Sequence, residues 1–227
     1  MKLFEKSSIG KMNLKNRIIM GPMGTSAEGD GGYSRRIIRY YEERAKGGTG
    51  MIITGMNQAT DKYEDYYCNL LSTHHHVSRL GELADALHRY ECKLCVQIGP
   101  GLGRMATLIP GKPVYSASAT PLYWRPDVTC TPYSVDQIKD LVKSVSYAAN
   151  LAKRAGADAV ELHAYGGYLL DQFQCSLWNK RDDEYGGDLR GRMKIVLDII
   201  ANIRRICGPD FPLIVKFTPM HCIPGGR

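Results

Sequence analysis

Long hydrophobic runs are missing from this 227-residue sequence. No segment reaches the roughly 20 consecutive apolar residues that a membrane-spanning helix needs. The first residues, MKLFEKSSIGKMNLKNR, also lack the apolar core of a secretory signal. We therefore expect no membrane partner and a cytoplasmic location.

The sequence has no block of lysine and arginine either. The net charge is +7, but the basic residues are interspersed with acidic ones, as in YEERAK. Nucleic-acid binding usually requires a basic stripe or cluster, so we expect no nucleic-acid partner. The basic balance is compatible with a phosphate-bearing cofactor or substrate.

A metal-binding or disulfide framework is not indicated. The seven cysteines are an odd number without a secretory context, which favours free thiols. Cys92 and Cys95 form a single C-x-x-C inside an apolar run, and no second pair completes a zinc site. The His74–His76 run is interpreted as a solvated loop before a helix. We predict no metal site.

Apolar runs alternate with longer amphipathic segments along the whole chain. The runs predict strands over residues 17–21, 51–54, 93–98, 157–162 and 212–217. Helices are predicted over residues 34–46, 77–90, 134–155 and 189–206. Ser34 is a candidate N-cap, and Ser134 with Gln137 resembles a capping box.

Strand–helix alternation predicts parallel strands in an α/β fold, either an open sheet or a barrel. Polar and glycine residues follow each predicted strand, and a site built from several strand ends is the barrel pattern. The string GPGLGR has its glycines at the wrong spacing for a dinucleotide-binding loop. The sequence therefore predicts one domain, residues 1–227, containing the first five βα units of a truncated (β/α)8 TIM barrel. Open edges on the first and fifth strands lead us to expect aggregation or a homo-oligomer.

Three stretches resemble the Old Yellow Enzyme family of FMN-dependent reductases. They are LFEKSSIGKMNLKNRIIMGPM before and through the first strand, VELHAYGGYLLDQF at the fourth, and NKRDDEYGGDLRGRMKIVLDII after it. The resemblance covers essentially the whole chain in order. The strings VQIGPGLGR and PGGR are similar to the 2-enoate and 2,4-dienoyl-CoA reductase branch.

The resemblance implies an oxidoreductase that transfers a hydride from NAD(P)H through FMN to an activated C=C bond. The substrate would be a small unsaturated molecule: an enoate, an enoyl-CoA or an enone. A 4Fe-4S cluster and FAD are expected only in a longer full-length form, because the cysteine cluster and the Rossmann fingerprint they need are absent here.

The same resemblance assigns the cofactor-binding positions. These are Pro22, Met23, Gly24 and Thr25 after the first strand, Gly55 after the second, Gln97, His163 and Lys216. Gln97 suits the flavin pyrimidine edge, since an amide both donates and accepts. Lys216 stands where relatives usually carry arginine, facing the flavin N1–C2=O edge. The alternative for Lys216 is an ion pair with Glu161 on the neighbouring strand.

Two residues are implied to be catalytic. Tyr168 falls on the proton-donor tyrosine of the family, and a phenol retains its proton at neutral pH. His163 falls on the histidine that reaches the substrate carbonyl or the flavin. Gly166 stands where relatives carry a second His or Asn, and Tyr165 is the neighbouring side chain that could compensate.

Two other functions remain open on the residues alone. The chain could be a different barrel enzyme, such as a lyase that uses Lys216 as a Schiff base or a dihydroorotate-type dehydrogenase. It could also be a non-catalytic remnant, because the phosphate-binding loops that follow strands seven and eight of such barrels are not in this sequence.

Overall fold

The computed structural model describes residues 2–25, 28–65 and 68–226. The strands are, in chain order, β1 (Ser7–Ile9), β2 (Met12–Leu14), β3 (Ile19–Met20), β4 (Met51–Ile53), β5 (Asn57–Gln58), β6 (Lys93–Gly99), β7 (Tyr115–Ser116), β8 (Thr131–Pro132), β9 (Ala159–Ala164) and β10 (Leu213–Phe217). The helices are α1 (Arg35–Lys46), α2 (His75–His88), α3 (Val135–Arg154), α4 (Leu169–Gln174) and α5 (Leu189–Cys207).

Five parallel strands form the main sheet in the order β3–β4–β6–β9–β10, which is also their order along the chain. Helices lie between consecutive strands, as the alternation predicts. The predicted succession of five parallel strands with helices between them, as in a truncated barrel, is therefore confirmed. β5 pairs beside the end of β6, and β7 with β8 forms a separate two-stranded sheet.

Helix starts follow local capping chemistry. The Ser34 side chain accepts a hydrogen bond from the backbone N–H of Ile37, and Ser134 forms the predicted capping box with Gln137. Asp188 caps α5 in the same way, through the N–H of Gly191.

The start of α2 differs from the prediction. The helix begins at His75, and the side chain of His76 is buried, so the solvated-loop interpretation was wrong for His76, whereas His74 and His75 are exposed. The Nε2 of His76 bonds to the backbone oxygen of Asp30 at 2.9 Å, and its Nδ1 faces the N–H of Thr73 at 3.4 Å. The ring therefore satisfies backbone groups of two segments, at a helix start whose cap residue makes no side-chain bond.

Successive residues of each strand face opposite sides of the sheet. The outward residues of β6 and β9, such as Val96 and Leu162, pack against the helices in the large core. The inward residues Met51, Cys95 and Ala159 form a second apolar cluster, which we call the lower lumen.

The β1–β2 hairpin closes the lower lumen, because Met12 and Leu14 pack into this cluster. The sequence analysis did not predict this hairpin. No helix in the described ranges combines the length and the apolar character needed to cross a membrane.

Candidate active site

Polar side chains occupy the inward positions above the lower lumen. Strand register places Gln97 of β6 beside Glu161 of β9, and His163 of β9 beside Lys216 of β10. These four residues are two or four positions further along the strands than the inward residues of the lower lumen. We call them the upper lumen.

A cavity of about 220 Å³ opens above the upper lumen at the carboxyl ends of the strands. Seven predicted site residues line it: Pro22, Gly24, Gly55, Gln97, His163, Tyr168 and Lys216. The other lining residues are Met56, Leu102 and Tyr165. Residues from the ends of the five main strands, and from the loops that follow them, thus converge on one cavity, as in a barrel active site.

Two predicted cofactor residues do not line this cavity. The side chain of Met23 is 59% exposed, and the hydroxyl of Thr25 bonds to the Oδ1 of Asn69 at 3.2 Å. The backbone of Met23 has a different role. A Cβ added to Gly55 would collide with the carbonyl oxygen of Met23, so glycine at position 55 lets two strand ends approach each other. The Tyr41 hydroxyl accepts a bond from the N–H of Gly55 at 3.0 Å and fixes this approach.

Gln97 and Glu161 form a buried polar pair. The Nε2 of Gln97 donates to the Oε1 of Glu161 at 2.6 Å. Burial raises the pKa of the Glu161 carboxyl, while the bond from Gln97 and the positive charge of Lys216 oppose that shift. The Oε1 of Gln97 accepts no hydrogen bond from the described residues, so it is available to a ligand.

Lys216 is held by an aromatic ring. Its Nζ lies 4.5 Å from the ring centroid of Tyr165, a cation–π arrangement. No described carboxylate is in ion-pair contact with this ammonium, so the alternative of an ion pair with Glu161 is wrong in its direct form. Burial raises the pKa of Glu161, and the positive charge of Lys216 counteracts part of this rise through space, without an ion-pair contact.

His163 is buried between two tyrosine rings. Its ring centroid lies 4.8 Å from that of Tyr168 and 5.6 Å from that of Tyr165. Burial lowers the pKa of His163 to about 4, and the charge of Lys216 acts in the same direction. The imidazole is therefore neutral at pH 7. Its Nδ1 is buried without a hydrogen-bond partner among the described residues, a state that a polar ligand atom would relieve.

Tyr168 is anchored by the helix that follows it. It is the N-cap residue of α4, and the next turn of that helix carries Asp171 and Gln172. The N–H of Gly167 donates to the Oδ2 of Asp171 at 2.8 Å. The Nε2 of Gln172 donates to the backbone oxygens of Gly167 and Leu102, at 2.7 and 2.9 Å.

Sequence reasoning missed these anchors. The available signal was three polar residues inside the buried segment LLDQFQ, since polar groups are buried only when they are bonded.

Asn57 is a second anchor that the sequence analysis missed. Its Nδ2 donates to the backbone oxygens of Gly55 and Gln97, each at 3.1 Å, and its Oδ1 accepts from the Tyr33 hydroxyl at 2.9 Å. One buried amide therefore joins the ends of β4 and β6, the strands that present two of the cavity residues.

Glu64 supports the rim of the cavity. Its carboxylate accepts bonds from the backbone N–H groups of Leu102 and Gly103, at 2.9 and 3.2 Å. Burial outweighs these donors and raises the pKa of Glu64 to about 7. The position of Leu102 therefore depends on whether the carboxyl of Glu64 carries a proton.

The chain is similar in sequence to proteins of one known family. The sequence profile of the NADH:flavin oxidoreductase / NADH oxidase family matches residues 2–226. The cinnamate reductase of Clostridium sporogenes is 36% identical, covering 95% of this chain and 34% of that protein. An NADPH dehydrogenase of Halalkalibacterium halodurans is 33% identical, covering 100% of this chain and 66% of that protein.

Solved structures share the fold. The Old Yellow Enzyme of Pichia sp. AKU4542 superimposes with a TM-score of 0.88 at 27% identity, over 99% of this chain and 61% of the other. A 2-naphthoyl-CoA reductase gives 0.89 at 26% identity, over 100% and 36%. The chain thus spans about a third of the length of some relatives and about two thirds of others.

Proposed function

This chain belongs to the NADH:flavin oxidoreductase / NADH oxidase family, and we propose that it binds FMN and reduces an activated C=C bond with electrons from NAD(P)H. The observation that carries the proposal is the buried Nδ1 of His163, which has no hydrogen-bond partner in the described part of the chain, at a cavity lined by Gln97, Lys216 and Tyr168.

The residues of the upper lumen fit a flavin ring. Such a ring presents acceptors and an N–H along its pyrimidine edge, and the available Oε1 of Gln97 with its amide N–H complements both kinds of group. Lys216, two strands away on β10, supplies a positive charge that would stabilise the negative charge of a reduced flavin. The backbone at Pro22 and Gly24 and the glycine at position 55 provide a surface without bulky side chains.

FMN, when bound, accepts a hydride from NAD(P)H and passes it to the substrate. The side chains of this chain provide the remaining steps. The phenol of Tyr168 delivers a proton to the second carbon of the reduced bond. The neutral imidazole of His163 donates a hydrogen bond to the oxygen that activates the C=C bond. This hydrogen bond stabilises the negative charge that develops on the oxygen in the transition state.

We infer an α,β-unsaturated acid or its thioester as the substrate class. One similar protein is named a cinnamate reductase and another a 2-naphthoyl-CoA reductase. Each name contains an unsaturated acid or acyl-CoA, in which the carboxyl or thioester carbon is conjugated to C=C bonds. The donors at the cavity, His163 and Tyr168, suit the oxygen of such a group.

The test is spectroscopic. The protein is purified with FMN, and its near-ultraviolet and blue absorbance is recorded. Anaerobic NADH or NADPH should bleach these bands, and cinnamate or a similar enoate should restore them. Gln97→Ala and Lys216→Ala should weaken FMN binding, whereas Tyr147→Phe, on the exposed face of α3, should not.

A colourless protein that does not bind FMN would exclude the proposed function. Borohydride trapping of a carbonyl compound on Lys216 in such a protein would instead support the lyase alternative.

A further inference from the structure

The turn between His163 and Tyr168 has no side chain at position 166. Gly166 and Gly167 have φ values of +74° and +77°, a left-handed conformation that glycine adopts without strain. The N–H of Gly166 donates to the hydroxyl of Thr218 at 3.1 Å, and the N–H of Gly167 to Asp171. The turn is therefore fixed from both sides, and position 166 cannot offer a side-chain donor to a ligand.

Tyr165 lies just before this turn and lines the cavity. Its ring is held between two neighbours: the Nζ of Lys216, 4.5 Å from the ring centroid, and the His163 ring at 5.6 Å. The residue is 39% exposed, and no described residue makes a hydrogen bond with its hydroxyl. A phenol in this position has an oriented ring and a hydroxyl that is available for bonding.

We propose that Tyr165 binds the substrate by donating a hydrogen bond from its hydroxyl to the activating oxygen, which the glycine at position 166 cannot reach because it has no side chain. This inference rests on the proposed function. It names the second donor beside His163 and defines the ligand as a compound with a carbonyl or carboxylate oxygen conjugated to the reduced bond. Tyr168 keeps its separate role as the proton donor to carbon.

The competing explanation is that Tyr165 only packs on Lys216. Tyr165→Phe separates the two, because it retains the ring and the cation–π contact and removes only the hydroxyl. Gly166→Asn supplies an alternative donor. Asparagine tolerates the left-handed conformation better than most residues, and a Cβ at position 166 would meet the Tyr168 ring at 3.5 Å, an ordinary contact.

The experiment measures ligand binding without turnover. The FMN-loaded complete protein is titrated with 3-phenylpropanoate and with 3-phenylpropanamide, which carry the oxygen but no reducible bond, and the flavin absorbance reports binding. Tyr165→Phe should raise the Kd of both ligands about tenfold, as expected for one hydrogen bond. The double variant Tyr165→Phe/Gly166→Asn should return to within about threefold of the unsubstituted protein. Tyr123→Phe, at an exposed tyrosine outside the cavity, is the matched control and should leave both Kd values unchanged.

Two results would overturn the inference while FMN is still bound in full. One is an unchanged Kd in Tyr165→Phe. The other is failure of Gly166→Asn to restore binding in the double variant, which would show that the two positions do not serve the same oxygen. Loss of binding for the acid but not for the amide would restrict the ligand class to carboxylates. Absence of FMN from the unsubstituted protein is a different outcome, and it would remove the proposed function as well.

Discussion

The lower and upper lumen are built from the same strands and lie only two to four residues apart along them. Their side chains nevertheless differ in polarity. Cys95 and Ala159 in the lower lumen are apolar, and the next inward residues, Gln97 and Glu161, are polar. The hairpin seals the lower level, whereas the upper level opens to a cavity. A parallel sheet can thus keep stability and ligand chemistry in adjacent layers of one surface.

Because of this difference, substitutions in the two layers should affect different properties of the protein. Substitutions in the lower lumen should lower the free energy of unfolding and leave the chemistry of the folded protein unchanged. Substitutions at the cavity should change binding or rate with smaller effects on stability.

The largest expected effect is on a rate at the cavity. Tyr168→Phe should slow reoxidation of the reduced flavin by the unsaturated substrate about 10²–10⁴-fold, the usual loss when a general acid is removed. Flavin reduction by NAD(P)H should stay nearly unchanged, because the phenol acts only in the second half-reaction. Stopped-flow absorbance separates the two steps. Equal slowing of both would show that Tyr168 is a structural residue.

The lower lumen should respond in stability instead. Met51→Ala removes a buried side chain that packs against the hairpin and should lower the free energy of unfolding by about 2–5 kcal/mol in urea titrations. Met220→Ala, at a side chain that is 67% exposed, is the control and should have almost no effect. An altered FMN affinity in folded Met51→Ala protein would contradict the division between the layers.

Acidification should destabilise the upper lumen through His163. The pKa of this group is about 4 in the folded protein against 6.5 for an unperturbed histidine, so between these values the unfolded chain binds more protons. Its contribution to stability is complete above pH 6.5 and is lost as the pH falls, by a few kcal/mol at most. Glu64 opposes this trend, because its raised pKa makes ionisation unfavourable as the pH rises towards 7.

The contribution of His163 can be isolated by difference. Urea titrations of the unsubstituted protein and of His163→Asn, at about pH 5 and about pH 7, give two changes in stability. The unsubstituted protein should lose more stability on acidification than the variant. Equal changes in the two proteins would show that the imidazole is not neutral when folded.

The smallest expected effect concerns the Gln97–Glu161 pair. Gln97→Ala leaves a buried carboxyl without its donor and should weaken FMN binding about tenfold, with a loss of about 1–3 kcal/mol in stability. Because the two residues are bonded, Glu161→Gln combined with Gln97→Ala should cost less than the sum of the single substitutions. Additive effects would show that the pair does not act as a unit.

Local signals made much of the fold predictable. Helix periodicity with the serine caps gave α1 and α3 to within one residue. The fourth main strand was predicted two residues too early, because Ala157 and Asp158 were included in it. The Asp158 side chain instead accepts a bond from the N–H of Leu94 and pairs with Lys93.

The convergence of residues on the cavity was predictable where a side chain lies at the end of an apolar strand, as for Gln97 and Lys216. The anchors Asn57 and Gln172 were not, because their partners are backbone groups in distant segments. The short β1–β2 hairpin also gives too few residues for a period to appear. Sequence periodicity indicates which face of a helix or strand is buried. It does not indicate which distant backbone group a buried side-chain amide will bond.

The hairpin that seals the lower lumen has a consequence for the order of assembly. Lys11, which lies in the turn of the hairpin, forms an ion pair with Asp210 at 2.7 Å. Ile214 of β10 packs against the apolar cluster that the hairpin closes. The hairpin leaves the ribosome before β10, and the surface that receives it is finished some 200 residues later along the chain. Its docking is a contact of very long sequence separation, which favours slow, late closure. In a growing chain this end of the barrel therefore stays unsealed until β10 is in place.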